Sequence, residues 1–177
     1  MLADIQEHIG TKDSPDPAFI KEVISGGHFW ALDWEFPGIF ASKEVSEQVV
    51  QEVGEILTMW EHIEEAHTAL GQAEKDDLAA KAHPFGVEPS FRGFDGNNET
   101  EHMSVAGLMI EKMGRFTHFA GRDLNSHMPS LDAYERMLKA YEPHRRGFSS
   151  AAFGVDELAK ILLEQVHPEN RVEGVTH

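Results

Sequence analysis

Residues 42–71 read SKEVSEQVVQEVGEILTMWEHIEEAHTALG, and the spacing of their apolar side chains decides the fold class. Val45, Val49, Val53, Ile56, Trp60, Ile63, His67 and Leu70 recur three and four apart, with Val50 and Leu57 broadening the stripe. Side chains at those intervals share one face of an α-helix. Ser42 supplies an N-cap acceptor, Glu44 and Glu47 suit the positive end of the helix dipole, and Gly71 offers a stop. A helix is expected from about Lys43 to Leu70.

The same signals recur on either side. Asp16-Pro17 reads as cap and first helical residue, and Gly26-Gly27 closes a helix carrying Phe19, Ile20, Val23 and Ile24. Trp30 and Trp34 lie four apart before the Pro37-Gly38 break. Asn98 with Glu101 marks the start of a helix running to about Phe119. Pro129 to Glu142 and Val155 to about Val166 complete the set. No segment alternates as a strand does, so the expected fold is all-α, an irregular bundle of about six helices. Residues 1–15 read as an N-terminal lead and linker, 16–167 as the helical domain, and 168–177 as a disordered tail. Gln72 to Asn97 reads as a long connection, which needs its own packing or a function.

The chain has 177 residues, Lys+Arg 15 against Asp+Glu 31, a formal net charge of −16, and no Cys. Without Cys, disulfides, thiolate metal sites and Cys nucleophiles are excluded. The acidic balance argues against direct nucleic-acid binding and against anionic membrane surfaces. No apolar run reaches membrane-spanning length and Met1 to Gly10 lacks a signal-peptide layout, so a cytoplasmic protein is expected.

Three Glu-x-x-His spacings, Glu64–His67, Glu99–His102 and Glu164–His167, match the pattern by which helical bundles hold paired metal ions. Chance placement of the Glu and His residues gives roughly one, so the excess is small. No nucleophile elbow, Ser-x-x-Lys pair or phosphate-cradling loop is present, and the proximity of Asp123, Ser126 and His127 is not triad geometry. Trp30, Trp34 and Trp60 are either core or the lining of a pocket, with core favoured. The basic run His144-Arg145-Arg146 reads either as a site for an anion or a partner carboxylate or as the complement of the negative end of the helix it follows. Phe91-Arg-Gly-Phe-Asp-Gly-Asn-Asn-Glu99 is the most informative polar stretch. Its Asp, Asn and Gly residues suit a capped loop entering a helix. Asp95, Asn98 and Glu99 are also the expected ligand-binding set, together with Arg115 and His118.

These segments resemble the YfbU family of prokaryotic proteins. The resemblance is carried by His28–Phe40 (HFWALDWEFPGIF), Val53–Trp60 (VGEILTMW) and Phe91–Glu99, with Gly114–Phe119 (GRFTHF) and Tyr134–Leu138 (YERML) adding to it. It spans about Ala18 to Leu163 and implies a helical domain. In some relatives such a domain accompanies a DNA-binding segment, which implies a sensing or regulatory role. The family carries no catalytic residues across. Met1 to Ser14 is too short and acidic for a DNA reader, so no direct nucleic-acid contact is expected of this chain.

The expectation is therefore a non-enzymatic regulatory or ligand-sensing domain acting through protein–protein association, as a homodimer or with another partner, without cofactor or metal. Two alternatives stand beside it. One is a metal-dependent enzyme built on Glu64, His67, Glu99 and His102. The other is an acidic, antitoxin-like partner of a basic protein.

Overall fold

A computed structural model describes residues 16–28, 30–35, 45–144, 153–167 and 169. The chain forms two compact units, Met1–Glu44 and Val45–His177. The expected lead, the Arg145-Arg146 pair and most of the expected tail lie outside the described residues.

In the first unit, α1 (Pro17–Gly26) starts as expected: the Asp16 carboxylate accepts from the Ala18 N–H at 2.9 Å and Pro17 takes the first helical position. Gly27, at φ +69, turns the chain out, its N–H donating to the carbonyls of Ile24 and Val23. A short α2 (Trp30–Glu35) follows. Val23 and Leu32 are buried, whereas Trp34 is 81% exposed and is not core. Leu32 and Trp34 are two apart, which puts them on opposite sides of a helix.

The second unit is built on α3 (Glu47–Ala69). Its cap is Ser46 rather than Ser42, with Oγ accepting from the Val49 N–H at 3.2 Å. Val53, Ile56, Leu57, Met59, Trp60 and Ile63 are closed to solvent, so the predicted stripe is the core face. Within the expected long connection lies α4 (Gln72–Lys81). It has one buried side chain, Leu78, so apolar spacing does not reveal it. Side-chain pairs one turn apart support it instead: Gln72 with Asp76 at 2.9 Å and Lys81 with Asp77 at 2.8 Å.

The helix expected from Asn98 to Phe119 is broken up. α5 covers only Thr100–Gly107, widens into a π-type turn at Leu108–Lys112, and a 3₁₀ turn forms at Thr117–Phe119. Gly114, at φ +63, provides the break between the last two. α6 (Leu131–Tyr141) and α7 (Val155–Leu163) form where expected. α3 packs against α5 and α6, and α7 against α4 and α6, enclosing Met137, Leu158, Ile161 and Leu162. The described residues are all-α and contain no strand, as expected; one isolated parallel bridge pairs Phe94 with Asn125. Among them no helix is long and apolar enough to cross a membrane.

That bridge joins two loops. Phe94 donates its N–H to Leu124 O at 2.9 Å, and Ser126 donates to Phe94 O at 3.0 Å. Gly93 makes the approach possible: its φ is +86, and a Cβ there would lie 2.0 Å from Leu124 O. Gly93→Ala therefore combines left-handed strain with a backbone clash, and a loss of at least about 2 kcal/mol is expected in urea unfolding. Gly121→Ala is the comparison. At φ +75 it has the strain but open space, so it should cost less, about 1 kcal/mol.

Candidate functional site

Two buried carboxylates hold the loop 91–99 from opposite ends. Glu64 lies on α3 one turn after Trp60, hence on the core face, and is 8% exposed. Its Oε1 accepts the Phe91 N–H at 2.7 Å. Arg122 grips both oxygens, Nη1 to Oε1 at 2.9 Å and Nη2 to Oε2 at 2.8 Å, and His118 Nε2 donates to Oε2 at 2.6 Å. Burial pushes the Glu64 carboxyl up, but the bonds from Arg122, Phe91 and His118 outweigh it and hold it below the ordinary Glu value. The Arg122 guanidinium also stacks over the Phe119 ring, 5.1 Å from its centroid.

Glu99 closes the other end. Its Oε1 accepts the N–H groups of Ser130 at 2.6 Å and Leu131 at 2.8 Å, so a carboxylate caps the N-terminus of α6. Its Oε2 accepts from the Asp95 N–H at 2.8 Å and the Ser130 hydroxyl at 2.6 Å. Burial raises this carboxyl too, and the donors from Leu131, Ser130 and Asp95 bring it below its ordinary value. Asp95 accepts from the Asn97 N–H at 3.0 Å and from the Asn98 side-chain amide, and these hold its carboxyl low. The carbonyl of Gly93 accepts from Tyr134 Oη at 2.9 Å, and the Ser130 hydroxyl oxygen lies 3.2 Å from it.

Asp95, Asn98 and Glu99 thus form one network. His118 belongs to the Glu64 cluster instead, and Arg115 is exposed with no side-chain hydrogen bond among the described residues. The pairs of the metal pattern separate: Glu64 pairs with His118 and Arg122, His102 with Glu52 at 3.2 Å, and His67 Nε2 is buried without a partner. Among the described residues no three His, Asp or Glu side chains are grouped to hold a metal ion. Glu64, expected to be a packing or surface residue and a metal ligand only in the alternative reading, is the centre of a polar cluster. Its register with Trp60 is the signal that it is buried, whereas nothing in the spacing pairs it with Arg122.

Beside this loop is a cavity of about 480 Å³, within the range of small-molecule sites. Trp60, Phe85 and Met128 supply apolar wall, Tyr134 connects it to Gly93 and Ser130 to Glu99, and Arg92 and Glu88 bring charge. The YfbU domain model matches residues 4–163, taking in both units. The chain belongs to the YfbU family. Among curated YfbU-like relatives, the UPF0304 protein MJECS11 of Methanocaldococcus jannaschii is 32% identical over 104 residues. That match takes in 56% of this chain and 58% of the relative, so the chain spans little more than half the length of the relative it matches. No solved structure matches the chain. The family match covers every residue of the cavity and both carboxylate clusters except Gln165, which also lines the cavity.

Because Glu64 and Glu99 ionise more readily folded than unfolded, they stabilise the fold fully above the ordinary Glu value of 4.5, and the contribution is lost as pH falls below it. Urea unfolding followed from about pH 7 to about pH 3, a range that brackets carboxylate titration, should show this loss. Glu64→Gln should flatten the acid slope and, at neutral pH, cost about 3 kcal/mol by leaving Arg122 without its anion. An unchanged slope in that variant would contradict the assignment.

Proposed function

We propose that this YfbU domain is a non-enzymatic ligand-sensing module that acts through association with a protein partner or a second copy, and that its ligand occupies the cavity beside loop 91–99. The observation that carries the reading is a shared wall. Ser130 and Tyr134 line the cavity, and each donates its hydroxyl to loop 91–99: Tyr134 to the Gly93 carbonyl and Ser130 to the Glu99 carboxylate. A ligand pressing on these two side chains acts directly on loop 91–99, and through Phe91 on the Glu64 cluster.

The state of the carboxylates supports binding over acid–base chemistry. Each oxygen of Glu64 and Glu99 already accepts from protein donors, so neither has a free lone-pair direction comparable to that of a working base. In this reading Asp95, Asn98 and Glu99 serve the ligand by fixing the loop. His118 and Arg115, both exposed on the segment after α5, transmit its state to the partner. The regulatory role follows from the same coupling: occupancy of the cavity changes the surface presented at 115–118.

A thermal-shift screen of metabolites and nucleotides, with molecular mass measured in solution, tests this. A ligand at a hundredfold excess over its Kd should add about 2.7 kcal/mol, which for a chain of this size is a rise of roughly 5–10 °C in Tm. The same ligand should alter the association state. A chain that stays monomeric and shifts with no compound would defeat the proposal.

A further inference from the structure

Among the described residues that line the cavity, Arg92 is the one cation and Glu88 the one anion. Neither side chain makes a hydrogen bond or ion pair among the described residues, and they do not pair with each other. Arg122 binds Glu64 and Arg136 binds the Glu164 carbonyl, whereas Arg92, which lines the cavity, has its guanidinium free to meet an anion there. Glu88 is uncompensated as well. The titratable group it faces is His67, which burial, followed by the Lys75 charge, biases toward the neutral form against the pull of Glu88 itself. Trp60, Phe85 and Met128 give the same cavity apolar surface. The Trp60 indole N–H is buried there without an acceptor, although most buried polar groups in folded proteins are paired.

We propose that the cavity takes a zwitterion of amino-acid or dipeptide size with an apolar body, its carboxylate on Arg92, its ammonium on Glu88, and its side chain against Trp60, Phe85 and Met128. This rests on the reading of the cavity as the ligand site. Two opposite charges and apolar side chains in one cavity discriminate strongly, because a ligand lacking either charge leaves one protein charge unpaired as it is desolvated. Arg92 favours a carboxylate through its planar pair of donors.

Isothermal titration with L-phenylalanine, L-alanyl-L-phenylalanine, 3-phenylpropionate and phenethylamine tests it. At least one of the two zwitterions should bind, and the two singly charged analogues should bind about tenfold more weakly or worse. Arg92→Gln and Glu88→Gln, both at exposed positions that leave the fold intact, should each weaken the zwitterion about tenfold. Ala133→Leu, which fills the cavity, should abolish binding, with the unfolding midpoint checked to show that the variant is folded. Equal binding of the singly charged analogues, or wild-type affinity in both charge variants, would overturn the proposal. If neither zwitterion binds but another compound from the metabolite screen does, and Ala133→Leu blocks it, the zwitterion is wrong and the ligand-sensing reading stands. If nothing binds in either experiment, both fall.

Discussion

A carboxylate withdrawn from water on the longest helix sets the terms for the rest of the second unit. Removing Glu64 from solvent carries a penalty of several kcal/mol unless its charge is met and its lone pairs are filled. Arg122 meets the charge in a two-pronged bond, while Phe91 and His118 fill remaining directions. These partners come from two different connecting segments. The demand of one buried charge therefore determines where both segments run over α3.

Once Phe91 is fixed, its ring anchors an aromatic cluster. It lies 5.2 Å from Phe119, 5.6 Å from Phe94 and 5.9 Å from Tyr134, with Trp60 completing the group at 6.3 Å. Edge-to-face contacts such as Phe91–Phe94 and Phe94–Tyr134 are favourable and directional, so they hold the loop in one arrangement. Glu99 repeats the device at the loop's far end by capping α6. A segment without helix or strand is thereby made rigid by two carboxylates and a set of rings. A rigid irregular wall beside a cavity suits recognition, since it places Ser130, Tyr134 and Arg92 without relying on regular secondary structure.

The long helix was legible because burial and helical period coincide there: the stripe from Val53 to Ile63 is the face that the core closes over. The same reasoning passed over α4, whose single buried Leu78 leaves no stripe to detect. It also overextended the helix after Asn98, since the apolar spacing through Ile110 and Met113 continues across a π-type turn and the left-handed Gly114. Polar residues of loop 91–99 were recognisable by type, and Asp95 and Asn98 do bond their own neighbours, as short side chains in turns do. The pairing of Glu99 with Ser130 and of Glu64 with Arg122 was not, because those partners are contributed from 31 and 58 positions away along the chain.

By itself, then, the sequence determined the helical class, the family, the core face of α3 and the exclusion of cysteine chemistry. Each of these depends on residue type or on spacing within a few turns of helix, where the chain's local geometry dictates the outcome. Only the tertiary structure decided that Glu64 belongs with Arg122 and His118 rather than with His67, and that Glu99 caps α6 rather than meeting a metal. It alone brought Arg92 and Glu88 to one cavity without a hydrogen-bond or ion-pair partner among the described residues. Such pairings are set by which distant segments burial forces together, and the charge of a side chain does not say which opposite charge it will find.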